Sequence, residues 1–172
     1  DGEYYRIDGT NSQPHPPQGR PPILIGGTGP RRTLRIVAEH GHEWNATPLD
    51  PAAYRTANEA LERHCADVGR DPASIRRSML IFATIGPDKY HEGQALERFL
   101  AMMAPEGSGI TVEQAIADGH GPWRGSVEQL VDHVGQLRDL GLDEVVFEHF
   151  CHEDDSIPEW VASEVKPALE SL

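Results

Sequence analysis

The stretch Pro21-Pro22-Ile23-Leu24-Ile25-Gly26-Gly27-Thr28-Gly29-Pro30 passes from a short apolar run into a glycine-rich turn, and Arg31 to His40 then follow at helical spacing. A short strand, Pro22 to Ile25, apolar on both faces, marks a parallel sheet covered by helices. A glycine turn at the carboxyl end of such a strand, leading into a helix, is where α/β proteins hold phosphate, because unpaired N–H groups and the helix dipole meet there. Gly26 and Gly27 let the backbone approach a ligand with no Cβ in the way. Thr28 and Thr33 add hydroxyls beside Gly29, and the first helical turn adds free amides. Pro30 suits the start of a helix, where a missing N–H costs nothing, but it withdraws one donor from the turn. The pattern is neither G-x-G-x-x-G nor a P-loop, since no Lys follows. From the residues alone, a tight βα turn without a ligand explains the glycines as well.

Outward from this turn the chain continues in βα units. Leu34, Val37 and Ala38 share one face of the first helix, and Gly41 ends it. His42 to Thr47 is a brief strand or crossing. Asp50-Pro51 caps the next helix, whose stripe is Tyr54, Ala57, Leu61, Cys65 and Val68, stopped at Gly69. Arg76 to Ile85 is a buried strand. Ser126 with Gln129 forms a capping box ahead of Val127, Leu130, Val134, Leu137 and Leu140, and Gly141 closes that helix. Glu144 to Phe150 is a further strand, and Pro158 to Leu172 an amphipathic closing helix kinked near Pro167. Residues 1–20 form an extended lead-in, with a small strand around Tyr4-Tyr5-Arg6-Ile7. Residues 86–123 are an insertion or lid region, with helical pieces at Gln94 to Met103 and Thr111 to Asp118, longer than a connection needs, which favours a functional lid or a mobile insertion.

Composition narrows the partners. The chain has 172 residues, enough for one domain over 1–172, and a net charge of -13 with the acid spread along it. That balance opposes nucleic acid and anionic membrane, while Arg20, Arg31, Arg32 and Arg35 near the turn leave room for a local phosphate site. Two cysteines, Cys65 and Cys151, make no disulfide scaffold. No apolar run approaches the roughly 20 residues a bilayer needs, so a soluble, cytoplasmic protein is expected. The chain opens on Asp1 and not Met, read as a sign of sequence upstream. His149, Cys151 and His152 crowd the end of the last strand. No second motif supports a metal site, so none is expected, and His149 is read as lining the mouth of the sheet.

Three or four parallel strands leave open sheet edges. A closed (β/α)₈ barrel needs eight strands and typically ~250 residues. The chain is therefore a small open α/β protein or part of a larger barrel. The run from Pro21 to Gly29 with Arg32-Thr33-Leu34-Arg35, Ala38 and Trp44-Asn45 resembles the central motif of the bacterial luciferase-like flavin or F420-dependent oxidoreductase family. Gly125 to Leu130 and Gly141 to Val145 resemble the segment entering that family's last strand, and Gly2-Glu3-Tyr4-Tyr5 resembles its lead-in.

The resemblance implies an α/β fold, the C-terminal portion (about strands 5 to 8) of a luciferase-like barrel with an insertion before the helix preceding the last strand. It implies F420 or FMN as cofactor, F420 being favoured by the Gly26-Gly27-Thr28-Gly29 sequence. It implies cofactor-binding roles for Gly26, Gly27, Thr28, Gly29, Thr33 and Trp44, the last as ring contact or core packing. Family members often carry a polar or acidic residue where Pro30 stands. The groups that act on the ring and substrate belong mostly to the first half, so the catalytic residues stay unknown. The isolated chain is expected to be inactive as a flavin- or F420-dependent oxidoreductase acting on a small molecule. Its partner is then a missing N-terminal half-barrel or a second copy. The alternative is a noncatalytic truncated α/β domain stabilised by homodimerisation.

Overall fold

The computed structural model describes every residue except 1, 7, 10–12, 48–49, 104–108, 110–113, 115–120 and 152. Four parallel strands, β1 (Leu24–Gly26), β2 (Glu43–Ala46), β3 (Arg76–Ala83) and β4 (Glu144–His149), form one sheet in chain order. The helices α1 (Thr33–His40), α2 (Pro51–Val68) and α4 (Val127–Arg138) link or flank them, with α3 (Lys89–Met103) inserted after β3. The arrangement is an α/β partial barrel, half of an eight-stranded one plus an inserted helix.

The register fixes what each face carries. Ile25, Trp44 and Arg77 lie side by side, and alternation along β3 and β4 adds Met79, Ile81, Val145 and Phe147 to the same face. These side chains meet Leu34, Val37, Ala38, Leu61, Leu130 and Leu137 in the main core. The opposite face carries Leu24, Asn45, Ser78, Leu80, Phe82, Val146 and Glu148. Leu24 is 55% exposed there and Val146 40%. It is the face a closed barrel would turn inward.

Helix ends follow the expected chemistry. The Asp50 carboxylate accepts from the amides of Ala52 and Ala53 at 2.8 and 2.9 Å, with Pro51 first in α2. Ser126 and Gln129 complete their reciprocal box at α4. Buried Arg77 is satisfied by Asn58 Oδ1 at 2.7 Å and by the carbonyls of Pro72 and Ile75, tying β3 to α2.

Several boundaries depart from expectation. β1 begins at Leu24, since the prolines before it have no N–H to pair, and its inward face, which carries Leu24, is not buried. α1 begins at Thr33, after a turn over Pro30, Arg31 and Arg32. α3 starts before Gln94, at Lys89, because Asp88 accepts from the amides of Tyr90 and His91. The closing helix starts at Ser156 and runs as α5 (Ser156–Trp160), a wide π turn (Val161–Val165) and α6 (Lys166–Glu170). The π turn lies where the Pro167 ring would collide with the carbonyl four residues back. No strand forms among the described residues of 1–20, where Tyr4 and Tyr5 are 82% and 81% exposed. The helical piece expected over Thr111 to Asp118 lies outside the described residues apart from Gln114.

Candidate functional site

The carboxyl ends of all four strands point the same way, and the glycine turn lies at the β1 and β2 side of that end. The Gly27 amide still pairs with the Asn45 carbonyl at 3.0 Å, so the sheet holds the turn at its start. Gly27 then takes φ +108°, which side-chain-bearing residues rarely adopt. Two residues on, a Cβ at Gly29 would stand 2.8 Å from Thr33 Oγ1, so the chain folds back tightly onto α1. The Gly29 carbonyl accepts from Leu34 N at 3.1 Å, and the Pro30 carbonyl meets His64 Nε2 of α2 at 2.7 Å.

What this leaves unpaired gives the turn its chemistry. The amides of Thr28, Gly29, Arg31, Arg32 and Thr33 make no hydrogen bond to another described residue. Thr28 Oγ1 and Thr47 Oγ1 lie 3.3 Å apart across the ends of β1 and β2. Arg31 and Arg32 are exposed beside them, while Arg35 is held by Glu39 at 2.9 Å. Donors without acceptors, on an open turn with basic neighbours, suit the oxygens of a phosphate.

Trp44 has a different place from the residues of the turn. It is fully buried, stacked on Tyr54 with ring centroids 5.5 Å apart and planes 7° off parallel. Its indole N–H donates to the Gly27 carbonyl at 2.8 Å. A side chain with no exposed surface reaches a ligand only through what it holds, and Trp44 holds Gly27. Gly26, Gly27, Thr28, Gly29 and Thr33 come together around the turn as the sequence grouped them.

The β3 and β4 side is apolar and aromatic. Phe82, on the inward face, is 5.9 Å from Phe99 of α3 and 6.0 Å from Phe150. His149 faces the helices, not the mouth: it pairs with Ala83, and with Phe147, Ile157 and Val161 it lines a small cavity behind the sheet. Its Nδ1 accepts from Cys151 N at 3.1 Å, which leaves Nε2 to donate to the Ile85 carbonyl at 3.1 Å. His152 lies outside the described residues, and among the described residues no group of His, Cys, Asp and Glu could hold a metal. Cys65 and Cys151 are buried, and burial pushes both thiols up.

One inward-facing chain of polar groups escaped the sequence reading. Asn45 Nδ2 donates to Ser78 Oγ at 2.8 Å, and Ser78 Oγ donates to Glu43 Oε1 at 2.5 Å. Next to it Arg76 pairs with Glu144. Alternation of Glu43 and Asn45 about Trp44 was the available sign, but which face looks inward is decided only once the helices are placed.

The luciferase-like monooxygenase family model matches residues 1–137. No curated protein matches the chain. Among solved structures, the F420-dependent tetrahydromethanopterin reductase of Methanopyrus kandleri is similar at 20% identity and TM-score 0.62, over 86% of this chain and 51% of that one. An F420-dependent secondary alcohol dehydrogenase in complex with an F420-acetone adduct is similar at 16% identity and TM-score 0.68, over 98% and 55%. The oxygenating constituent of 3,6-diketocamphane monooxygenase from Pseudomonas putida, in complex with FMN, is similar at 14% identity and TM-score 0.60, over 98% and 57%. The chain thus spans about half the length of the solved proteins it matches, at identities that speak for the fold alone. None of the described helices is long and apolar enough to cross a membrane. With the family match over most of its length and four parallel strands of the expected barrel, the chain belongs to the luciferase-like monooxygenase family.

Proposed function

We propose that this chain supplies the cofactor-phosphate side of a flavin- or F420-dependent oxidoreductase, acting on a small molecule once the barrel is complete. The observation that carries it is the set of amides from Thr28 to Thr33 that no other described residue accepts from, on a turn that needs glycine at position 27. Thr28, Thr47 and Thr33 hydroxyls extend that set toward the oxygens of a phosphate. When bound, the cofactor supplies hydride transfer or oxygen activation. The chain's own part is to bind and orient: Trp44 fixes the Gly27 carbonyl, which aims the following amides outward. F420 is the favoured cofactor on the Gly26 to Gly29 sequence, with FMN the other.

The test is titration of the protein with FMN, F420 and riboflavin, which has the FMN ring but no phosphate. FMN or F420 is expected to bind at least about tenfold tighter than riboflavin, a margin equal to one or two charge-assisted hydrogen bonds. Gly27→Val is expected to abolish that margin. Equal binding of FMN and riboflavin, with no F420 binding, would sink the reading.

A second reading has its own observation. Leu24 and Val146 are exposed on the inward face, and β1 and β4 each end the sheet with an open edge among the described residues. A noncatalytic domain closed by a second copy would bury both. Two chains of net charge -13 repel, so that association would tighten as salt is added. Sedimentation at low and high salt, with and without FMN, separates the two: cofactor-insensitive dimers favour self-closure.

A further inference from the structure

Two carbonyls of the glycine turn are held by side chains from other elements. Trp44 of β2 takes the Gly27 carbonyl at 2.8 Å, and His64 of α2 takes the Pro30 carbonyl at 2.7 Å. A carbonyl accepts and cannot donate, so His64 Nε2 carries the proton of that bond. The ring stands on a fixed base. Ala57, Leu61 and Cys65 seat α2 in the core that Leu34 and Val37 of α1 share, and Arg70, just past the end of α2, reaches the Ala38 carbonyl at 3.2 Å. The His64 side chain is 20% exposed, at the edge of that core.

What the bond at Pro30 fixes follows from the peptide. The Pro30–Arg31 amide plane is rigid and trans, so its C=O and N–H point in opposite directions. A Pro30 carbonyl directed at α2 therefore directs the Arg31 amide away from α2. The pyrrolidine ring locks φ at Pro30, so a flip of this peptide runs through ψ of Pro30 and φ of Arg31, and the His64 bond opposes it. Among the described residues no backbone amide takes the Pro30 carbonyl in place of His64. Position 30 also lacks an N–H, which makes the Arg31 amide the next donor after Gly29, and it is one of those without an acceptor among the described residues.

We propose that His64 is a positioning residue for phosphate at the glycine turn, holding the Pro30 carbonyl toward α2 so that the Arg31 amide is left to donate where Pro30 cannot. This rests on the phosphate reading of the turn given above. Without the bond, the peptide is free to bring the Pro30 carbonyl round among the amides, where its negative end repels the oxygens that the amides attract. Trp44 holds the Gly27 carbonyl in the same way from the sheet side. The two differ in what else they carry: Trp44 is fully buried core, while His64 sits at the edge, so its loss is felt at the turn more than in the fold.

Titration of the full chain with FMN and with riboflavin, comparing wild type, His64→Leu and His64→Gln, tests this. The readout is the ratio of the two affinities, because a general weakening of the fold lowers both alike. His64→Leu is expected to cut the FMN preference about fivefold, the measure of one hydrogen bond, and to leave riboflavin unchanged. Gln places an uncharged N–H near the reach of Nε2, so His64→Gln should restore most of the preference and separate the bond from any charge on the ring. The Pro30 carbonyl carbon, followed by NMR in the same proteins without ligand, should move in His64→Leu and return in His64→Gln. A wild-type preference that His64→Leu leaves intact, or that His64→Gln loses as fully as His64→Leu, overturns the proposal alone. A wild type with no preference overturns the phosphate reading and this proposal with it, even where the carbon signal shows that His64 holds the peptide.

Discussion

The two sides of the barrel mouth are built in opposite ways. On the β1 and β2 side, the glycine turn has a buried indole beneath it, a stacked tyrosine beneath that, and the main core formed with α1 and α2 behind both. On the β3 and β4 side, α3 covers the strand ends through two buried side chains and a ring of exposed or half-exposed ion pairs. The first side is rigid because its polar groups are held from the core. The second is held by groups that water and protons can reach. A phosphate site gains from fixed donors, since each donor ordered in advance costs nothing on binding. An element held by few buried side chains opens at lower free energy than the core behind the turn.

The largest expected effect tests the rigid side. Trp44→Ala removes a fully buried ring, its stack on Tyr54 and the bond to the Gly27 carbonyl, and is expected to cost about 3–5 kcal/mol in chemical denaturation. Phe99→Ala makes the contrast. Phe99 is also fully buried, yet the loss felt by the rest of the protein cannot exceed the free energy of docking α3. The expectation is rapid exchange throughout α3 and a shift of about 1 kcal/mol or less in the unfolding of α1 and α2. Equal global losses from the two substitutions would erase the distinction drawn between the two sides.

How far this was legible in the sequence follows the same division. Caps at Asp50 and Ser126, the stripe of α4, the apolar run of β3 and the strand β4 are local patterns and were readable, as was the stripe of α2 except at its end, where Val68 is exposed because it stands in the last turn before Gly69. The turn from Gly26 to Thr33 was readable as a unit because its residues are contiguous. Trp44 was readable as a motif residue, but its service to Gly27 depends on the parallel pairing of β1 with β2, which sequence spacing does not specify. His149 takes the face opposite to the expected one for a related reason: strand alternation says that His149 and Glu148 differ, while the position of the closing helix decides which one looks inward. No local pattern announces the approach of His91 to Asp154 either. His91 and Asp154 sit far apart in the chain, and only the packing of α3 against the loop after β4 makes them neighbours.

The smallest expected effect lies deepest on the rigid side. Tyr54 is fully buried under Trp44, and among the described residues its hydroxyl is the one buried side-chain polar atom with no hydrogen-bond partner. Burial pushes the Tyr54 phenol far above its ordinary value, ahead of the opposing pull of Arg77. Tyr54→Phe keeps the stacked ring and removes the unpaired group, so a gain of about 1 kcal/mol is expected at neutral pH. The sign with pH follows from the raised phenol: the unfolded chain ionises Tyr54 near its ordinary value of 10.0 while the folded chain keeps it neutral. This contribution to stability is therefore complete below about pH 10 and falls away as pH rises further, in the wild type but not in the phenylalanine variant. Urea midpoints at about pH 7 and about pH 11, either side of the free phenol's titration, measure both effects. The advantage of Tyr54→Phe should widen at the higher pH, whereas a variant less stable than wild type at neutral pH would mean that the hydroxyl has a partner and that the support beneath Gly27 is polar as well as packed.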